Sequence, residues 1–254
     1  MNGEQHGTSN PATEQAAAIP SGLPAGTRLE LVAPAGGLRL LVPASPAAGD
    51  ELLPRLQAWA EQGDAPVQAV VLELYGTLVI WTPQRSAVAA PVDRLQKAAT
   101  ATAEFTETAA ELAAIEQSIA AAWPAYEADL PSGFGITTAA AGQAEALAGR
   151  YHQSMSLAGR LARLSPRIHQ PLLHPPTLAS QIGERLRDRC RLADREEFAD
   201  DQLETIIRLY EACGQRVSDG RLAQREHVLT WVIVLLLAAE TLLLLVDLLA
   251  ATEG

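Results

Sequence analysis

The residues able to do chemistry are few. Five histidines, His6, His152, His169, His174 and His227, are available for a metal, but no HExxH run occurs and no His pair stands four apart beside a carboxylate. Cys190 and Cys213 are too few and too widely spaced to complete a zinc set, and they read as packed thiols on helices. Gly133-Phe134-Gly135 lacks the further glycine and the Lys-Ser/Thr of a phosphate loop, and no GxSxG elbow is present. The expectation is therefore no catalytic, cofactor-binding or metal residue, no cofactor, and a protein that is not an enzyme.

Two charged arrangements remain. Glu240 and Asp247 lie seven residues apart inside an apolar run, hence on one helix face, where they form either a proton-relay pair or a polar contact within an oligomer. The second arrangement is a set of arginines, Arg160, Arg163 and Arg167 followed by Arg185, Arg187, Arg189, Arg191 and Arg195. Arg187, Arg191 and Arg195 are the candidates for docking phosphates or anionic headgroups. Interleaved Glu184, Asp188 and Asp194 support a plainer reading, in which Glu184 pairs with Arg187 or Asp188 with Arg191 on a solvated helix. No aromatic that would stack a base accompanies them.

The apolar run around Glu240 is the most distinctive element. Val228 to Ala250 spans 23 residues with two ionisable side chains, and as a helix it covers ~34 Å, enough for a hydrocarbon core of ~30 Å. Fifteen Leu, Ile and Val residues outweigh the two acids on insertion scales, so the segment 228–250 reads as a transmembrane helix. Leu229 and Trp231 mark its entry. Only four residues follow it, which suggests a tail anchor, and Arg216, Arg221 and Arg225 precede it, which places the large domain in the cytoplasm by the positive-inside rule. The first 30 residues contain neither the pattern of a secretory signal nor that of a transit peptide. The expected localisation is a bacterial plasma (inner) membrane, single-pass.

Composition bounds the rest. A chain of 254 residues with 48% hydrophobic content supports one or two domains with a real core, and a net charge of −11 argues against direct DNA binding. The sign is uneven, because residues 150–195 hold nine arginines against three acids. Residues 1–26, rich in Gly, Pro, Ser, Thr, Ala and Gln, read as a disordered tail. From 27 to 83 the pattern is that of a small α+β domain. RLELVA and LRLLVPA flank Pro34-Ala35-Gly36-Gly37 as a hairpin, and Asp50 caps a short helix that carries Leu52, Leu53, Leu56 and Trp59 and stops at Gly63. Val67 to Trp81 is a β-rich run divided by Gly76. Residues 90–220 read as a helical domain and stalk. There Pro124 kinks or ends a long amphipathic helix, Pro131 to Gly135 breaks the chain, a second helix runs from about Ala139 to Leu164, and Ser218-Asp219-Gly220 forms a hinge before the anchor. The fold class is thus α+β: a small N-terminal α+β domain, a helical domain and one C-terminal transmembrane helix.

At the anchor a resemblance is visible. Leu229-Thr230-Trp231-Val232-Ile233-Val234, with Glu240 following, resembles the LEWIIIxLIxxE signature of the YagE-like, required-for-meiotic-nuclear-division family, a domain of unknown function. Leu74 to Trp81 is similar to that family's glycine-containing strand motif, Leu112 to Glu116 to its LSxxE segment, and Arg195 to an arginine on its penultimate helical hairpin. Thr230 stands where the family has Glu and the Asn-rich pieces are missing, so the resemblance implies a divergent bacterial member. It also implies the function class: eukaryotic relatives are mitochondrial inner-membrane proteins that support organellar translation by holding ribosomes or partners near the membrane.

Two functions follow as expectations. The first is a tail-anchored membrane scaffold that self-associates as a homo-oligomer and docks a cytoplasmic protein or ribosome, linked to translation or membrane organisation. The alternative is an enzyme or transport accessory subunit using Glu240 and Asp247 or a pocket in the α+β domain.

Overall fold

The computed structural model describes residues 19–32, 37–44, 52–62, 67–134, 143–171 and 174–252, excepting the side chains at 134, 220–225 and 242–252. Within them the chain is mixed α+β, with five strands and five helices: β1 (Arg28–Val32), β2 (Gly37–Pro43), α1 (Leu52–Ala60), β3 (Val70–Leu74), β4 (Thr77–Trp81), β5 (Arg85–Ala90), α2 (Val92–Phe134), α3 (Ala144–Ile168), α4 (Leu178–Arg189) and α5 (Leu192–Thr252). Most of the expected tail (1–18), the first hairpin's turn (33–36), the Asp50 cap, the Gly63 stop and the start of the second helix at Ala139 lie outside the described residues.

The sheet order is β1-β2-β5-β4-β3. β1 and β2 pair antiparallel, as do β3 and β4, and both runs carry the β-branched and leucine-rich pattern that pleats well. Between β3 and β4 the loop is Tyr75-Gly76 with φ of 51° and 72°, the two left-handed residues of a type I′ turn whose twist matches the strands. β5 is the strand that the sequence reading did not anticipate. It runs parallel to β2 and antiparallel to β4, all six of its residues are buried, and its Arg-Ser-Ala-Val-Ala-Ala sequence has little β-propensity of its own.

Alternation along the strands sends two apolar sets in opposite directions. On one face Leu40, Val42, Ile80, Ala87 and Ala89 pack with Leu56, Trp59 and Ala60 of α1. On the other, α2 is fixed at several points. The Trp81 ring meets Phe105 edge-on at 4.9 Å, its indole N–H donates to Thr106 Oγ1 at 2.9 Å, and Arg39 Nη1 donates to the Ala99 carbonyl at 2.6 Å. Arg39 also pairs with Glu30 across the β1–β2 ladder at 2.8 Å, so two of the three nitrogens of this guanidinium on a covered face are engaged, while its Nε is buried without a partner among the described residues.

The chain divides into two compact units. One holds the sheet, the first part of α2 to Ser118, residues 159–168 of α3, α4 and the start of α5 to Asp200; the other holds Ile119–Ala158 and the chain from Asp201 onward. In the second unit Leu147, Leu203, Ile206, Leu209 and Cys213 are buried, and Gly133 of α2 lies so close to Leu209 that a Cβ would stand 2.7 Å from its Cδ1.

Four helix boundaries differ from the sequence expectations, the first being the break expected from Pro131, through which α2 continues to Phe134. Pro124 does not end α2, because Pro124 and Ala120, whose carbonyl loses its intrahelical donor there, are both exposed and water can serve instead. α3 continues past Leu164 through Pro166 to Ile168. Ser218-Asp219-Gly220 is not a hinge in the backbone, since α5 passes through it as helix. As for the expected transmembrane helix over 228–250, among the described residues no helix is long and apolar enough to cross a membrane. A span needs ~20 apolar residues, whereas the described side chains of the apolar run end at Thr241 and 242–250 lie outside them.

Two glycines give opposite predictions for one substitution. Gly76→Ala should lower stability by ~1 kcal/mol, because nothing crowds the site but the positive φ is strained for any L side chain. Gly149→Ala, on an exposed helical turn with nothing within 4 Å, should raise it by ~0.5 to 1 kcal/mol. Thermal unfolding of the two variants reads both signs.

Candidate functional site

The arginine segment begins at a well-made helix start. Thr177 Oγ1 accepts from the Ser180 N–H at 3.2 Å and Ser180 Oγ accepts from the Thr177 N–H at 3.0 Å, a reciprocal cap that fixes where α4 begins. The helix ends at Cys190. Arg191 then takes φ of 52°, an uncommon conformation for a residue with a Cβ, and its N–H donates back to the Asp188 carbonyl at 3.1 Å. That turn separates the arginines the sequence had placed on one face.

Arg191 is exposed and its Nε donates to Asp194 at 2.8 Å, in place of the expected Asp188 partner. Arg195, on α5, reaches across the fold to α2 and grips Glu116 with both arms, Nε to Oε1 at 2.9 Å and Nη2 to Oε2 at 2.6 Å. This is the fork geometry in which a guanidinium binds a carboxylate most firmly. Arg189 Nη1 donates to the Val71 carbonyl of β3, which ties α4 to the sheet edge. Beside this clasp, burial pushes the Cys190 thiol up to about 11 against the pull of Arg195, so the thiolate is scarce near neutral pH.

Arg187 has a different setting. Its Nη2 donates to the Gln170 carbonyl at 3.2 Å, and burial draws the guanidinium below its usual range although Glu184 and Asp188 pull the other way. It lines a cavity of about 410 Å³ together with Arg167, Glu104, Thr108, Thr177 and Ser180. Arg167 is held by Glu107 at 3.0 Å and more loosely by Glu111 at 3.9 Å. The structure therefore places Arg187, Arg191 and Arg195 at a cavity wall, an exposed turn and an interhelical clasp, and does not bring them onto one surface.

The second unit holds a buried polar cluster that no sequence motif announces. Asp129 of α2 accepts from Arg150 Nη1 of α3 and from Tyr210 Oη of α5, the latter at 3.3 Å. These residues are distant in sequence and share no motif. Burial, reinforced by Asp129, pushes the Tyr210 hydroxyl up to about 12 and also raises Cys213, while Asp129 raises Arg150. A carboxylate with two donors and no open nucleophile is suited to holding three helices in register.

On α5, Leu229 and Trp231 are exposed, and Trp231 Nε1 donates to His227 Nε2 one turn back at 3.0 Å. Glu240 is exposed and the Asp247 side chain lies outside the described residues. Among the described residues no group of three or more His, Cys, Asp or Glu is arranged to hold a metal ion, and His169 is engaged with Glu196 at 3.0 Å. No family model, no curated protein and no solved structure matches this chain.

Two measurements follow from these contacts. Arg195→Gln should cost ~1 to 2 kcal/mol, the scale of a charge-assisted fork that is one-third exposed, while Arg191→Gln should stay within ~0.5 kcal/mol. Denaturant melts of both compare them directly. Tyr210 supplies a pH signature. The folded protein keeps its proton to about 12, whereas a free tyrosine loses it near ~10, so its stabilising contribution is complete below pH ~10 and is lost as pH rises toward 12. Tyrosinate absorbance should show the late titration, and Tyr210→Phe should remove it.

Proposed function

We propose that the protein is a membrane-tethered scaffold, held to the bilayer by the apolar part of α5, which self-associates there and docks a cytoplasmic partner through the units that precede it. One observation carries the reading. Val232, Ile233, Val234, Leu235, Leu236 and Leu237 are consecutive on α5 and each is 46% to 66% exposed. Six successive residues cover more than a full turn, so the apolar surface goes all the way round the helix and not along one stripe. A partner helix covers a stripe. A surface exposed on all sides matches an apolar medium that surrounds it, and lipid is such a medium.

The flanking chemistry agrees. Trp231 is amphipathic and sits where the apolar run begins, as interfacial aromatics do, and Arg216, Arg221 and Arg225 precede the run on the side that holds the folded units. Thr230 and Thr241 return their hydroxyls to the helix, donating to the Glu226 carbonyl at 2.8 Å and the Ala238 carbonyl at 2.9 Å, so these polar groups enter an apolar environment already satisfied. Glu240 is the exception, and a lone acid in lipid favours a neighbour that can hydrogen-bond it, which supports self-association. Similarity of Leu229–Val234 and Glu240 to the YagE-like signature supports the same class of role.

The full chain should pellet with membranes and resist carbonate extraction, and a chain lacking 226–254 should move to the supernatant; a truncated protein that stays in the pellet would overturn the tether. In membranes, Glu240→Leu should lower the yield of crosslinked oligomer relative to wild type, and an unchanged yield would remove Glu240 from the interface.

A further inference from the structure

We propose that the cavity beside α4 is a binding site for a small soluble phosphate ester, with Arg187 as the residue that recognises the phosphate. The cavity measures about 410 Å³, within the range of pockets that enclose small metabolites and well above what a bare inorganic ion fills. Its wall carries two guanidiniums, those of Arg187 and Arg167, while the hydroxyls of Thr108, Thr177 and Ser180 at its surface already donate to the Glu104 carbonyl, Ser180 Oγ and the Thr177 carbonyl. Ala179 brings the first turn of α4, where the N–H groups of Leu178 and Ala179 have no intrahelical acceptor and the helix dipole favours an anion.

The two arginines differ in a way that singles out one of them. Arg167 already has Glu107 and Glu111 as counter-charges. Arg187 is half-buried, and its hydrogen-bond acceptor among the described residues is a neutral carbonyl, that of Gln170. Glu184 and Asp188 act on it through space, but among the described residues no carboxylate forms an ion pair with it, and a cation partly stripped of water gains from a bound anion. Its seat is prepared by Gly183, one turn earlier on α4, where a Cβ would stand 3.2 Å from Arg187 Nη1. The absence of a side chain at 183 lets the guanidinium fold back along the helix toward the cavity. Glu104, the acid on the wall, is exposed to solvent, which screens its charge. A planar guanidinium beside a helix start suits a phosphate better than a point charge would, because it offers two parallel donors.

The test uses the full chain in mild detergent, with inorganic phosphate and glycerol 3-phosphate as probes and chloride at matched ionic strength as the control. Thermal unfolding and phosphorus NMR line broadening report binding. Both probes should raise the melting temperature saturably, with glycerol 3-phosphate binding more tightly because it fills more of the cavity. Arg187→Gln should weaken binding about tenfold or more, and Gly183→Ala should weaken it while leaving every charge in place. Arg187→Lys keeps the charge without the fork, should bind more weakly than wild type, and supplies the reading if the Gln variant does not fold. Arg191→Gln, outside the cavity, should bind as wild type does. No saturation with either probe, an equal effect from chloride, or unchanged affinity in the Arg187 variants would overturn the site.

Discussion

Trp81 is buried on a covered face of the sheet, and its indole N–H must find an acceptor there or leave a desolvated donor. Thr106 supplies it, with the Phe105 ring set edge-on against the indole, and that pair of contacts fixes the axial position and rotation of α2 over the strands. Much of the first unit is indexed from that helix. One turn on from Phe105, Thr108 faces the cavity, Glu107 and Glu111 hold Arg167 of α3, and Glu116 receives the Arg195 fork from α5. Moving α2 by one residue would rotate each of these groups by about 100° away from its partner. Thr106 also donates to the Thr102 carbonyl at 2.7 Å, so the acceptor is itself held by the helix it positions.

What the sequence disclosed followed periodicity and turn chemistry. The run from Val67 to Trp81 with its interrupting glycine resolved into two strands and a two-residue turn, because positive φ is demanded there and Gly76 is the residue that supplies it most readily. β5 was not visible. Its alanines carry no strand signal, and what makes Arg85–Ala90 a strand is its position between β2 and β4 with helices over both faces, a tertiary cause that no local window contains. Pro124 misled for the complementary reason: a proline removes a donor, and the loss is small where the orphaned carbonyl meets water.

The arginine segment illustrates a similar limit for sites. Interleaved acids and bases at three- and four-residue spacing imply ladder pairs along one helix, and that inference assumes the helix continues. It stops at Cys190, and the left-handed Arg191 sends the next arginines in other directions. Long-range partners then replaced the local ones, with Glu116 lying 79 residues from Arg195 and the Val71 carbonyl 118 from Arg189. The Asp129–Arg150–Tyr210 cluster was illegible for the same reason, since each member alone looks like an ordinary surface residue of an amphipathic helix. Composition did disclose where cations concentrate, and one of them, Arg187, reached a cavity.

The small side chains of β5 set the thickness of the layers around them. Ala87 and Ala89 face the α1 side, while Val88 and Ala90 point the opposite way, all of them without solvent exposure beyond 1%. Where a central strand carries methyl groups, the helices above and below settle closer to the sheet than they would over leucine or isoleucine, and the whole stack is cut to that spacing. A segment whose composition suggests indifference to substitution is therefore among the least permissive in the chain. Enlarging any of these alanines would act as a shim, lifting a helix bodily and loosening contacts at the far end of that helix, so the mutational sensitivity of β5 should be read in displaced neighbours and not in the strand itself.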